Sequence, residues 1–155
     1  MRAVPSQSGF TLIEISIALA IAGLVMAMLV PNMAPAIARA RLYSATRDVA
    51  SALRHARGQA VVRGEETLFE LDTRLHHYRI TGSRKTHTLP EDIKLGLYTS
   101  TSETVEPGTG RIRFYPDGSS TGGRVTLIGG GLEKKVDINW LTGVVKLDDP
   151  NRQDD

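Results

Sequence analysis

The sequence predicts an α+β protein, with one long N-terminal helix followed by a small antiparallel β-sandwich-like domain, and three observations predict it. Between Phe10 and Val30 lie twenty-one residues of which only Glu14 is charged, and an Ala-rich stretch continues to Ala38. From Arg39 to Arg63 apolar residues recur at three- and four-residue spacing, the period of a helix with one apolar face. From Gly64 onward the period falls towards two, in short segments broken by Gly, Pro, Asp and Ser. The expected divisions are a polar leader at 1–9, an apolar helix at 10–38, an amphipathic helix at 39–63 laid on the domain, and a β-rich domain at 64–155.

The apolar run is long enough to cross a hydrocarbon layer of about 30 Å as a helix. Beyond it, Leu42, Ala45, Val49, Ala52, Leu53, Ala56 and Ala60 form one stripe, with Arg41, Ser44, Arg47, Asp48, Ser51 and Arg54 largely off it. If both parts are one helix it runs for some fifty residues, or roughly 80 Å at 1.5 Å per residue. Pro31 and Pro35 each remove a backbone donor and crowd the preceding turn. A kink or a locally unwound stretch is therefore expected between Ala27 and Pro35, and Gly64 is the natural stop.

The expected strands are Thr67 to Leu71, Leu75 to Ile80, Ile93 to Tyr98, Arg111 to Tyr115, Arg124 to Ile128, Val136 to Trp140 and Val144 to Leu147. Turn chemistry separates them, as at Pro116-Asp117-Gly118 and Gly129-Gly130-Gly131. Seven short strands point to two antiparallel sheets or one strongly bent sheet. Thr99 to Gly110 has no apolar period and is expected to be an exposed loop.

Charge is unevenly spread. Up to Arg63 there are seven Arg against Glu14 and Asp48, a balance of +5; from Gly64 there are twelve basic and fifteen acidic residues, a balance of −3. An acidic domain lacks the electrostatic footprint of a nucleic-acid binder. The chain has no cysteine, which excludes disulfides and thiol chemistry.

The chemistry is concentrated in Gly9-Phe10-Thr11-Leu12-Ile13-Glu14, where a carboxylate sits one turn into an apolar run. A charged side chain at the bilayer centre costs at least about 2.5 to 3.5 kcal/mol, so such a residue is a functional candidate. A cut after Gly9 places a positive amine on Phe10, four residues from Glu14. The two charges can pair within one helix, or between staggered neighbours in a fibre, which fixes the packing register.

This segment, followed by a span containing Pro31, resembles the processing and assembly signature of the type IV pilins and the pseudopilins of type II secretion. The resemblance implies that an aspartyl prepilin peptidase of the inner membrane cuts between Gly9 and Phe10 and methylates the new amine. It also implies that Glu14, fifth in the mature chain, meets the amino terminus of an adjacent subunit. A second resemblance is carried by Phe114-Tyr115-Pro116-Asp117-Gly118-Ser119-Ser120-Thr121-Gly122-Gly123, by Val125-Thr126-Leu127 and by Trp140-Leu141-Thr142-Gly143-Val144-Val145. These strings are similar to the carboxyl-terminal domain shared by H-type minor pseudopilins and certain minor type IV pilins. It implies a subunit near the tip of a periplasmic pseudopilus that supports protein export, with other major and minor pseudopilins and secreted cargo as partners.

Other readings compete. An ordinary signal peptide would be cut near Ala34-Pro35-Ala36 or Ala38-Arg39-Ala40, but the run is longer than the usual 7 to 15 residues and contains Glu14. A periplasmic enzyme with a cleaved export signal predicts a mature chain starting after Ala34. A plain membrane anchor lacks any assembly role. The positive-inside count, Arg2 against Arg39, Arg41 and Arg47, favours the opposite orientation, although large domains cross with little regard to it. The processing motif therefore decides, giving a single-pass inner-membrane protein whose domain faces the periplasm. A minor pilin active in DNA uptake would draw on Arg111, Arg113 and Arg124.

Pro116 to Gly123 lacks the Lys-Ser/Thr ending of a phosphate loop and reads as a long hairpin turn. His55, His76, His77 and His87 show no metal spacing, and a calcium site at Asp117 has no supporting ligands. No nucleophile and base pair stands out, so neither catalysis nor a cofactor is expected.

Overall fold

The computed structural model describes residues 10–100, 103–106 and 108–148, with side chains described except at 28–32 and 104–105. One helix, α1 (Leu12–Arg63), is followed by nine strands among the described residues: β1 (Thr67–Asp72), β2 (His77–Ile80), β3 (Thr86–Thr88), β4 (Lys94–Tyr98), β5 (Thr104–Glu106), β6 (Thr109–Phe114), β7 (Gly123–Gly129), β8 (Leu132–Ile138) and β9 (Val145–Asp148). Two compact units emerge, Met1–Ala36 and Ile37–Asp155.

In the second unit the strands form two antiparallel sheets, ordered β3-β2-β1-β6-β5 and β4-β7-β8-β9. Alternation dictates what faces inward. Phe69 stands opposite Ile80 and Ile112 in the first sheet, and Val125 opposite Leu97 and Val136 in the second. These residues join the stripe of α1, and Leu42, Ala45, Val49, Ala52, Leu53, Ala56 and Ala60 are all buried in one core with Phe69, Phe114 and Leu127. Each large apolar side chain so buried contributes about 1.5 to 3 kcal/mol of transfer free energy. Gly64 ends the helix at a φ of 67°, donating its N–H to the Ala60 carbonyl at 3.0 Å.

Several expectations need correction. No unwound stretch separates Ala27 from Pro35, because helical backbone runs without a break from Leu12 to Arg63. The prolines remove only the donors to the Ala27 and Pro31 carbonyls, and the remaining ladder carries the helix through. Among the described residues no helix is long and apolar enough to cross a membrane. Consecutive described side chains in the apolar part run only from Leu12 to Ala27, short of the about 20 residues a bilayer takes. The expected span at 10–38 thus rests on its sequence.

Leu75 is outside β2, because the Asp72 carboxylate accepts the Arg74 and Leu75 amides at 2.8 and 2.9 Å and closes a turn there. Trp140 is outside β8, because Asn139 Oδ1 accepts the Leu141 and Thr142 amides and turns the chain. Pro116 to Gly123 starts as a turn closed by the Phe114–Ser120 bridge, but it then carries the chain from the first sheet to the second, so it is a crossover rather than a hairpin. Thr99 to Gly110 is not simply an exposed loop, since β5 pairs with β6 across a register shift and Glu103 is buried.

Candidate processing and assembly segment

The first turn of α1 is built by its sequence. The Thr11 side-chain oxygen accepts the Glu14 amide at 3.3 Å, and the Thr11 carbonyl accepts the amides of Glu14 and Ile15 at 3.1 and 3.2 Å. Thr11 is therefore the N-cap and Glu14 the third residue of the helix, the spacing of a capping box. The amide-rich end of a helix favours a negative group, so Glu14 is held where the helix itself offsets part of its charge. Sequence reasoning fixed on the carboxylate and missed the cap, although Thr-x-x-Glu before an apolar run announces it.

Phe10 precedes this cap and is 80% exposed. Leu12, Ile13, Ile15, Ile17, Leu19, Ile21, Leu24, Val25 and Met26 are exposed on every side of the helix. A helix apolar all round is stable only against lipid or other apolar helices. Gly9 lies outside the described residues. Pro31 is within the helical backbone, as are the small-residue sequences at Ala34 to Ala36 and Ala38 to Ala40.

The structure does not leave the three candidate DNA-contacting arginines free. Arg111 Nε donates to Glu70 at 2.7 Å, Arg113 is bound by Glu103 at 2.9 Å and by Glu66, and Arg124 is bound by Asp137. Glu103 first and Glu66 second hold the Arg113 guanidinium more firmly protonated than usual. Asp137 does the same for Arg124. Among the described residues no group of three His, Asp or Glu side chains is placed to hold a metal ion. His76 instead braces the domain through a 3.0 Å contact from Nε2 to the Ile93 carbonyl.

A capped, uniformly apolar helical segment and a helix-backed two-sheet domain define the pilin-like class of subunits. The family model described as type II transport protein GspH matches residues 45–143, more than half of the chain, and that for the prokaryotic N-terminal methylation motif matches residues 5–30. The chain belongs to the type II transport protein GspH family. It is 28% identical over 138 residues to the type II secretion system protein H of Xanthomonas campestris pv. campestris, covering 89% of this chain and 81% of that protein. Its fold is similar to that of the minor pseudopilin EpsH of Vibrio cholerae, with a TM-score of 0.56 at 14% identity over 72% of this chain and 99% of the other. The type IV minor pilin FimU of Pseudomonas aeruginosa is similar at a TM-score of 0.57 and 14% identity, over 74% and 92% of the two chains.

Proposed function

We propose that this protein is a minor pseudopilin of a type II secretion system, a structural subunit near the tip of the periplasmic pseudopilus that supports protein export across the outer membrane. The observation that carries this reading is the family match over residues 45–143, which takes in all of the buried core except Leu42 and Val145. The apolar helix anchors the subunit in the inner membrane as a single pass, with the domain in the periplasm. The twenty-one-residue run from Phe10 to Val30 supports this, as does the uniformly exposed apolar surface of its described part.

Prepilin peptidase cuts between Gly9 and Phe10 and methylates the Phe10 amine. The match of residues 5–30 to the methylation motif supports this step. Glu14 then pairs with the amine of an adjoining subunit, an ion pair made tolerable in apolar surroundings by its partner. Pro31 stays in the packed helix. The role is one of assembly with other major and minor pseudopilins and contact with secreted cargo, not catalysis.

The fold likeness to FimU favours a second reading, a minor type IV pilin. Its DNA-uptake form is opposed by the ion-paired state of Arg111, Arg113 and Arg124. Deleting the gene in its own host separates the two. Loss of exported enzymes from the medium with pili retained supports the pseudopilin; loss of pili with export intact supports the pilin. Mass spectrometry of the mature product should find a methylated Phe10 at its start, and any other start overturns the proposed processing.

A further inference from the structure

The last three turns of α1 carry a groove that the core does not use. Arg54, His55, Gly58, Gln59, Val62 and Arg63 line about 490 Å³ of it. The lining holds two guanidinium groups and an imidazole but no carboxylate. Arg54 donates to the Val145 carbonyl at 3.3 Å, and among the described residues neither Arg54 nor Arg63 is in an ion pair. The apolar component is Val62, which is 86% exposed. Gly58 opens the middle, since nothing stands within 4 Å of where its Cβ would be.

Gln59 Nε2 lies 2.8 Å from His55 Nε2, so these two side chains are tied to each other. The complementary ligand therefore brings carboxylates for the arginines and an apolar side chain for Val62. A peptide with acidic and aliphatic side chains supplies both. Nucleic acid supplies the anions but not the aliphatic group.

We propose that this groove docks an acidic, aliphatic segment of a neighbouring protein. The reading does not depend on which assembly the chain joins.

The test uses the full chain in detergent micelles and fluorescence anisotropy. The probe is a fluorescein-labelled peptide alternating glutamate with leucine; the controls are its glutamine counterpart and a single-stranded oligodeoxynucleotide. The glutamate peptide should bind saturably and more weakly as salt rises. Arg54→Gln with Arg63→Gln should weaken binding on the order of tenfold, as two exposed charge pairs contribute. Gly58→Phe should abolish binding while leaving thermal unfolding at or above that of the parent, because it fills open space and replaces a poor helix former. Four results would each overturn the proposal: no saturable binding to the parent, equal affinity for the glutamine peptide, unchanged affinity in either variant, or tighter binding of the oligonucleotide.

Discussion

Arg113 Nε donates to the buried Glu103 carboxylate at 2.9 Å, and the same guanidinium engages Glu66. The pair joins β6 to the connection that follows β4, and the Glu103 side chain keeps only 6% of its exposure. Removing the cation leaves a carboxylate with little water. Arg113→Met should therefore cost about 2 to 3 kcal/mol, below the full penalty of a buried pair because Arg113 is itself partly exposed. Glu66→Gln, whose carboxylate is half exposed, should cost under about 1 kcal/mol. Urea unfolding of the two variants measures the difference.

Acid sensitivity should be shared by Asp72 and Asp117. The Leu75 amide above all, then the Arg74 amide and the Thr109 hydroxyl, hold the Asp72 carboxyl below the ordinary value of 3.8, and the Ser119 hydroxyl and amide do the same for Asp117. A carboxylate whose folded value is depressed contributes stability above its unfolded value and loses it as pH falls through the folded one. The domain should therefore weaken progressively below about pH 4. Asp72→Asn should make that limb shallower without removing it, because it keeps an acceptor that does not titrate there while Asp117 still does. Urea midpoints measured across the acid range check both statements.

Gly143 has a φ of 60°, and a Cβ placed there would run into the Gly118 carbonyl and the Arg57 side chain. Arg57 Nε donates to that same carbonyl at 3.1 Å, so neither neighbour can withdraw without breaking the contact between α1 and the Tyr115–Gly118 turn. Gly143→Ala should destabilise by about 2 kcal/mol or more, combining left-handed backbone strain with the clash. Gly131→Ala meets nothing within 4 Å and should cost about 1 to 2 kcal/mol, from strain alone. Equal thermal shifts in the two variants would remove the steric part of the argument.

What was legible in the sequence follows the periodicity of apolar side chains. The stripe from Leu42 to Ala60 was readable because helical spacing forces those residues onto one face, and all seven are buried. Antiparallel strands were readable from alternation in β1, β6, β7 and β8, but alternation alone fits one strongly bent sheet as well as the two sheets observed. What was missed lacks that signal. β3, Thr86-His87-Thr88, contains no aliphatic residue and is held by pairing to Arg79, Tyr78 and His77 through the backbone. β5 was hidden because the buried residue beside it is Glu103, whose partner Arg113 lies on another strand. Trp140 and Leu75 look like strand residues by propensity, yet the Asn139 and Asp72 side chains capture the amides around them and turn the chain. At the amino end Glu14 stood out by its charge, whereas the Thr11 cap is a polar detail beside an apolar run.

The Thr11 cap separates the part Glu14 plays in assembly from any part in forming the helix. Because Thr11 supplies the N-cap, Glu14 is not needed to start the helix, and its favourable placement at the amide-rich end contributes only about 0.3 to 1 kcal/mol. Glu14→Val and Glu14→Gln should therefore both leave α1 formed, as far-ultraviolet circular dichroism in micelles can verify. An unpaired amine left in apolar surroundings by either change costs several kcal/mol, so recovery of partner pseudopilins in co-purification should fall by roughly tenfold or more. Glutamine keeps the shape and polarity of the side chain and removes only its charge, so a loss in both variants assigns the effect to charge. Undiminished recovery with Glu14→Gln would mean that register is set by the shape of the apolar helix, and that the carboxylate has no ionic partner in the fibre.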